Sequence, residues 1–210
     1  MGYREVCVKL PNCCQGAFLL LPLLLLGFAT PGAAGELTDQ MKQTTDKVLS
    51  ILNDSALQGS AKAEEREGLI RKTLDERFDW TEMASRSLSR YWAQRTDEEK
   101  KEFVPLYADL VKRTYVHKVV EGYSGEKVVY GEENIAKNYG TLKVKIVTKK
   151  NTDIPVEYRL RKEGDNWLIY DVAIEGVSVV NNYRAQFDSI MSKVSYANLV
   201  KMLRDKVKGT

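Results

Sequence analysis

Residue types that do chemistry are sparse in this chain. The sequence holds one histidine, His117. It lies seven residues beyond Leu110, at the edge of a helical apolar stripe, where a packing role is the ordinary one. A zinc site needs further His or Cys ligands at suitable spacing, and none accompany it. A Ser-His-Asp triad is formally possible, but no serine sits in a G-x-S-x-G turn, and Ser124 in Tyr-Ser-Gly is turn chemistry. Glu64-Glu65 and Glu132-Glu133 read as solvated charge rather than an acid–base pair. Asp171 stands apart as the one carboxylate inside an apolar strand pattern, Trp167-Leu-Ile-Tyr-Asp-Val172. Burial there would suit a general base, with Tyr170 or Tyr158 as its companion. The competing role is structural, at a bulge or against backbone or a nearby cation. No phosphate-binding loop or dinucleotide fingerprint occurs.

Basic residues fall into two groups. Lys143, Lys145, Arg159 and Arg161 share one strand face, and Lys201, Arg204, Lys206 and Lys208 gather near the C-terminus. A solvated face is the default. The alternative is a surface for anionic lipid headgroups or an acidic partner. The total of 32 Lys and Arg against 29 Asp and Glu, a net +3, is too balanced to point to nucleic acid. With 11 Tyr, 3 Trp and 5 Phe among 210 residues, there is too much aromatic bulk for disorder to be the main state. A single continuous apolar stretch excludes a multi-span membrane protein.

That stretch, Ala17 to Phe28, follows Arg4 and Lys9 and precedes the small residues Gly32, Ala33 and Ala34. Charge, then apolar block, then small residues is the layout of a secretory signal peptide, here residues 1–34 with cleavage after Ala34. At about 12 residues the block is short for a stable membrane span, and the competing reading is a retained membrane anchor. All three cysteines, Cys7, Cys13 and Cys14, fall in this segment, so the chain from Gly35 needs no disulfide and has no thiol chemistry.

The elements that must position any site follow from periodicity. Leu37, Met41, Thr44, Val48, Ile51 and Leu52 recur at helical spacing. After the break at Gln58-Gly59-Ser60, a second helix is predicted from about Ala61 with Leu69, Ile70, Thr73, Leu74 and Phe78 on one face. Asp79-Trp-Thr-Glu82 and Thr96-Asp-Glu-Glu99 have the form of N-capping boxes and open two further helices, one reaching about Arg90 and one to Gly122. Pro105 inside the latter predicts a kink or break. From Lys127 the period drops to two, giving four antiparallel strands near 126–133, 138–150, 153–162 and 166–174. Two helices close the chain, the last capped by Ser195. Helices and one antiparallel sheet, segregated in sequence, make an α+β domain over residues 35–210.

Several ordered stretches resemble the MlaC family of toluene-tolerance proteins. They are Phe78-Asp-Trp-Thr-Glu-Met-Ala-Ser-Arg-Ser-Leu-Ser-Arg-Tyr-Trp92, then Thr96-Asp-Glu-Glu-Lys with Phe103 and Leu110 downstream. Val156-Glu-Tyr-Arg-Leu-Arg-Lys162 with Trp167-Leu-Ile-Tyr-Asp-Val172 and Glu175-Gly-Val-Ser178 completes the set. The resemblance runs from about Leu37 to Val207. It implies a helical half packed on a curved four-stranded sheet, a roll like that of nuclear transport factor, enclosing an apolar cavity. It implies a monomeric periplasmic carrier, with no catalytic activity, cofactor or metal. The carrier would hold phospholipid acyl chains and move between an outer-membrane lipoprotein complex and an inner-membrane ABC transporter with MCE-type subunits. The expected lining, chosen by facing direction and motif position, is Val144, Ile146, Val156, Tyr158, Leu160, Ile169 and Val172 from the sheet. Phe78, Trp80, Met83, Leu106, Leu110 and Val177 are added from the helices and their connections. The competing readings are a small enzyme on the same roll using Asp171, and an envelope adaptor with a closed core and no ligand.

Overall fold

The structure is a computed structural model and describes residues 35–208. The expected signal segment and its three cysteines lie outside the described residues. The described chain runs α1 (Glu36–Asn53), α2 (Ala63–Asp75), α3 (Trp80–Leu88), α4 (Asp97–Gly122), β1 (Lys127–Ala136), β2 (Tyr139–Val147), β3 (Asp153–Glu163), β4 (Asn166–Ile174), β5 (Val177–Ser178), α5 (Val179–Met191) and α6 (Tyr196–Lys208). All strand pairs are antiparallel, in the order β1-β2-β3-β4-β5.

The α+β class holds, with corrections at element ends. The sheet has a fifth strand of two residues, too short to show alternation. It follows a tight turn in which Glu175 and Gly176 both take positive φ, as hairpin turns require. The helix α4 continues through Pro105 instead of breaking there. Pro105 is exposed, so its ring meets water and the carbonyl it leaves without a donor can be hydrated. Thr96 forms the full capping box with Glu99, satisfying orphan donors on both residues. Phe78 is not on α2. That helix stops at Asp75, and residues 77–79 lie extended beside β4. There the Asp79 N–H donates to the Ile169 carbonyl at 2.8 Å and the Ile169 N–H to the Arg77 carbonyl at 2.9 Å. A short 3-10 segment, Ser89–Gln94, replaces the last turn expected for α3.

Three apolar clusters make up the interior of the described residues, the smallest joining α1, α2 and α4 through Leu52, Ile70, Val116 and Val120. The largest, also helical, joins α3, α4, α5 and α6 through Met83, Phe103, Tyr107, Leu110, Phe187 and Leu199. Phe103 is fully buried and meets Phe187 edge-on at 5.7 Å, while Tyr107 meets Tyr183 the same way at 5.5 Å. The second joins α1 to the sheet through Leu37, Met41, Leu142, Leu160, Trp167 and Ile169. The approach of α1 to the sheet is close enough that a side chain at Gly140 would run into Leu37. The carboxylate of Glu133, on β1, receives the Thr38 N–H at 2.9 Å and the Thr38 hydroxyl, which ties the α1 N-terminus to the sheet. Phe103→Ala would open a cavity among four helices and cost about 3–5 kcal/mol, measurable as a lowered unfolding midpoint in denaturant.

Candidate functional site: the inner face of the sheet

Strand register arranges the inner face in rows. Ile146 pairs with Val128 and Ile154; Val144 with Tyr130 and Val156, and Val156 in turn with Ile174; Leu142 with Tyr158, which pairs with Val172; and Leu160 with Ile169. A register shift in β4 makes this possible. Leu160 pairs with Ile169 but Arg159 with Asp171, so Tyr170 is the extra residue of a bulge. Without it, Ile169 and Asp171 would share a face. With it, Trp167, Ile169, Val172 and Ile174 all turn inward and Asp171 turns to the opposite face.

The inner face is sealed at one end and unfinished at the other. Leu142, Leu160, Trp167 and Ile169 are buried under Leu37 and Met41. Val128, Tyr130, Ile146, Ile154, Tyr158, Val172 and Ile174 are only half-buried. Phe78 and Val172 border both larger clusters, so the seam between helices and sheet runs past them. Phe78 stacks on Trp80 with ring centres 4.9 Å apart. The Trp80 indole N–H donates to Asp75 at 2.8 Å, and the Lys112 ammonium lies 5.5 Å from the Trp80 ring and 2.8 Å from the same Asp75 oxygen. Burial pushes the Tyr158 phenol up to about 12 and raises that of Tyr130, whose hydroxyl oxygen is buried without a hydrogen-bond partner. Such a band of apolar surface beside a few polar groups is suited to binding an apolar body.

The sequence-predicted residues divide accordingly. Val144, Ile146, Val156, Tyr158, Leu160, Ile169 and Val172 are brought together on the inner face, and Phe78 joins them from the extended 77–79 segment with Trp80 stacked behind. Met83, Leu106 and Leu110 are not brought there. They pack in the helical cluster, because α3 and α4 turn those sides toward α5 and α6. Leu110 also reaches a surface groove of about 740 Å³ with Glu67, Arg71, Arg113 and His117. Val177 is 63% exposed, on the far side of the turn that leads into β5. Ile154 and Ile174 complete the rows and were not chosen, although each shares the parity of a chosen residue on its own strand.

The remaining polar candidates are structural. Asp171 is 3% exposed. One of its oxygens receives Arg159 Nη1 at 3.0 Å and the Ser178 hydroxyl at 2.6 Å, and the other receives the Val180 N–H at 3.0 Å. It does not join Tyr158 in a pocket. The basic strand face is neutralised: Lys143 pairs with Glu132, Lys145 with Asp153, Arg159 with Glu157 and Asp171, and Arg161 with Asp79 and Glu163. His117 is not a packing residue. It stands between Glu67 at 2.9 Å and Glu121 at 3.2 Å, with its side chain 56% exposed.

The family described as MlaC protein matches residues 42–205, so the chain belongs to the MlaC family. No curated protein matches the chain. Among solved structures it is similar to a phospholipid-binding protein from Ralstonia solanacearum, determined in complex with a phospholipid. The two are 22% identical with a TM-score of 0.73, over 82% of this chain and 97% of that one, and share the fold. A Campylobacter jejuni structure described as an NTF2-like transpeptidase aligns at 15% identity and a TM-score of 0.38, over 62% of this chain and 94% of that one. It is too distant to inform fold or function.

Two outcomes test the roles given to these polar groups. Removing the Asp171 carboxylate as Asp171→Ala leaves the Ser178 hydroxyl and the Val180 N–H without their acceptor and Arg159 with Glu157 alone, and should cost about 1–3 kcal/mol of unfolding free energy. His117 has its pKa raised, first by the hydrogen bond to Glu67. NMR should find it titrating above 6.5, with Glu67→Gln lowering the value. The ion pairs of the imidazolium are therefore present below that raised value, as long as Glu67 stays ionised, and lost as pH rises through it.

Proposed function

We propose that the protein is a carrier that holds the acyl chains of a phospholipid against the half-buried end of the inner sheet face, with the headgroup in water. The observation that carries this reading is the unequal sealing of one continuous apolar face. The end under α1 is buried, as are Val144 and Val156 in the middle, while Tyr158 and Val172 beside Phe78, Tyr130 and Ile174 at the flanks, and the end row Val128–Ile146–Ile154 are left half-buried. Membership of the MlaC family and the phospholipid held by the Ralstonia protein of the same fold support it.

Energetics set the mechanism. Each CH₂ removed from water gains about 0.8 kcal/mol, whether in a bilayer or in a dry protein cleft. Exchange between the two is nearly balanced, so the carrier permits transfer without fixing its direction. Direction must come from its partners. In this reading the protein is exported to the periplasm by residues 1–34 and works as a monomer. It exchanges lipid with an outer-membrane lipoprotein complex and an inner-membrane ABC transporter carrying MCE-type subunits, and it needs no catalytic group, cofactor or metal. Among the described residues no helix is long and apolar enough to cross a membrane.

The test is a charge at the half-buried end. Glutamate at Ile146 can reach water in the empty protein but opposes an acyl chain. Ile146→Glu should lower co-purified phospholipid at least about tenfold, read by solvent extraction and mass spectrometry, with the fold retained by circular dichroism. A folded Ile146→Glu protein carrying the wild-type amount of lipid would sink the proposal.

A further inference from the structure

The motif spanning residues 78–92 is only partly used by the lipid face. Phe78 and Trp80 meet the seam, but its C-terminal part does not. Leu88, Ser89, Arg90 and Tyr91 line a separate cavity of about 300 Å³ with Asn181, Arg184, Ala185 and Asp188 of α5. None of these residues belongs to the cluster that joins α1 to the sheet.

Arg184 is half-buried, and its Nε donates to the Arg86 carbonyl at 2.8 Å, which fixes the guanidinium at the junction of α3 and α5. Among the described residues no carboxylate pairs directly with it, and Asp188, the carboxylate that shares the cavity wall, is bonded to Arg90. A guanidinium held this way is preorganised for a carboxylate, and less conformational freedom is lost when one binds. Arg90 sits at the rim, 66% exposed, bonded to Asp188 and in contact with the Tyr91 ring at 5.0 Å. An exposed pair of this kind contributes little, so an incoming carboxylate can take Arg90 from Asp188. Ser89 has φ 51° and ψ −127°, a region that glycine enters easily and serine does not. That conformation directs the chain from α3 into the segment that presents Arg90 and Tyr91.

We infer that this cavity is a docking site for a glutamate or aspartate side chain on an acidic segment of a partner protein. The size favours that occupant. About 300 Å³ is at the lower limit for a ligand pocket and suits one side chain rather than a diacyl lipid. Leu88 and Ala185 supply apolar surface for the methylenes, while Arg184, Arg90 and Asn181 supply donors for the carboxylate. The inference does not depend on the lipid proposal.

The test is a titration of the full-length protein followed by the arginine side-chain N–H signals in NMR. Three probes are compared: a blocked tetrapeptide with two glutamates, the same peptide with glutamines, and inorganic phosphate. The glutamate peptide should shift the Arg184 Nε signal saturably and bind about tenfold or more tightly than the glutamine peptide, the loss expected for one charge-assisted pair. It should also bind more tightly than phosphate. Arg184→Gln should remove the response. Asp188→Asn, which frees Arg90 and leaves the α3–α5 anchor intact, should tighten binding. No saturable shift, equal binding of both peptides, tighter binding of phosphate, or a dissociation constant unmoved by Asp188→Asn would each overturn the assignment.

Discussion

The bulge at Tyr170 is the constraint on which the rest of the architecture turns. It is one extra residue in β4, and it reverses the facing of everything after it. Before it, Trp167 and Ile169 point inward; after it, Val172 and Ile174 do. The strand thus stays apolar on the inner face along its whole length. Its single carboxylate is delivered to the other face, where Asp171 holds Arg159, Ser178 and the Val180 N–H. Ser178 in turn caps α5 by accepting the Asn181 N–H at 3.0 Å. One register shift therefore keeps a charge off the inner face and fixes where α5 begins.

The two halves of the molecule have different tasks. The helical half is dense and aromatic, with Phe103, Tyr107, Tyr183 and Phe187 interlocked. The sheet half is buried over Leu142, Leu160 and Ile169 under α1 and on through Val144 and Val156, and is half-buried at Ile146, Ile154 and Ile174. A domain that closes its core completely would cover Ile146, Ile154 and Ile174 as well. Leaving them half-buried costs stability, which in the proposed function a ligand's acyl chains recover on binding.

Much of the fold was legible in the sequence. Helix starts at Thr96 and Ser195 were written in their caps, and the strands in their alternation, because both are local signals. What local signals missed was set by distant contacts. Phe78 fits a helical stripe with Leu74, yet the bonds of residues 77–79 to Ile169 pull it into an extended segment. Met83, Leu106 and Leu110 have the apolar character of a lining, but whether a helix face meets a sheet or other helices is decided by packing. The pairing of Lys143 with Glu132, Lys145 with Asp153, Arg159 with Asp171 and Arg161 with Asp79 is likewise set by contacts between separate elements. Asp171 shows both sides. Its placement at a bulge against a cation was among the readings of the sequence, and the face it occupies was not.

The central claim is that the half-buried end of the sheet exists to be completed by lipid. Native mass spectrometry of the protein expressed from its full chain, followed by solvent extraction, tests it most directly. The account predicts phospholipid bound at close to one molecule per protein, lost when the acyl chains are competed away by detergent. Protein that is free of lipid as purified, and that takes up none from phospholipid vesicles, would contradict it.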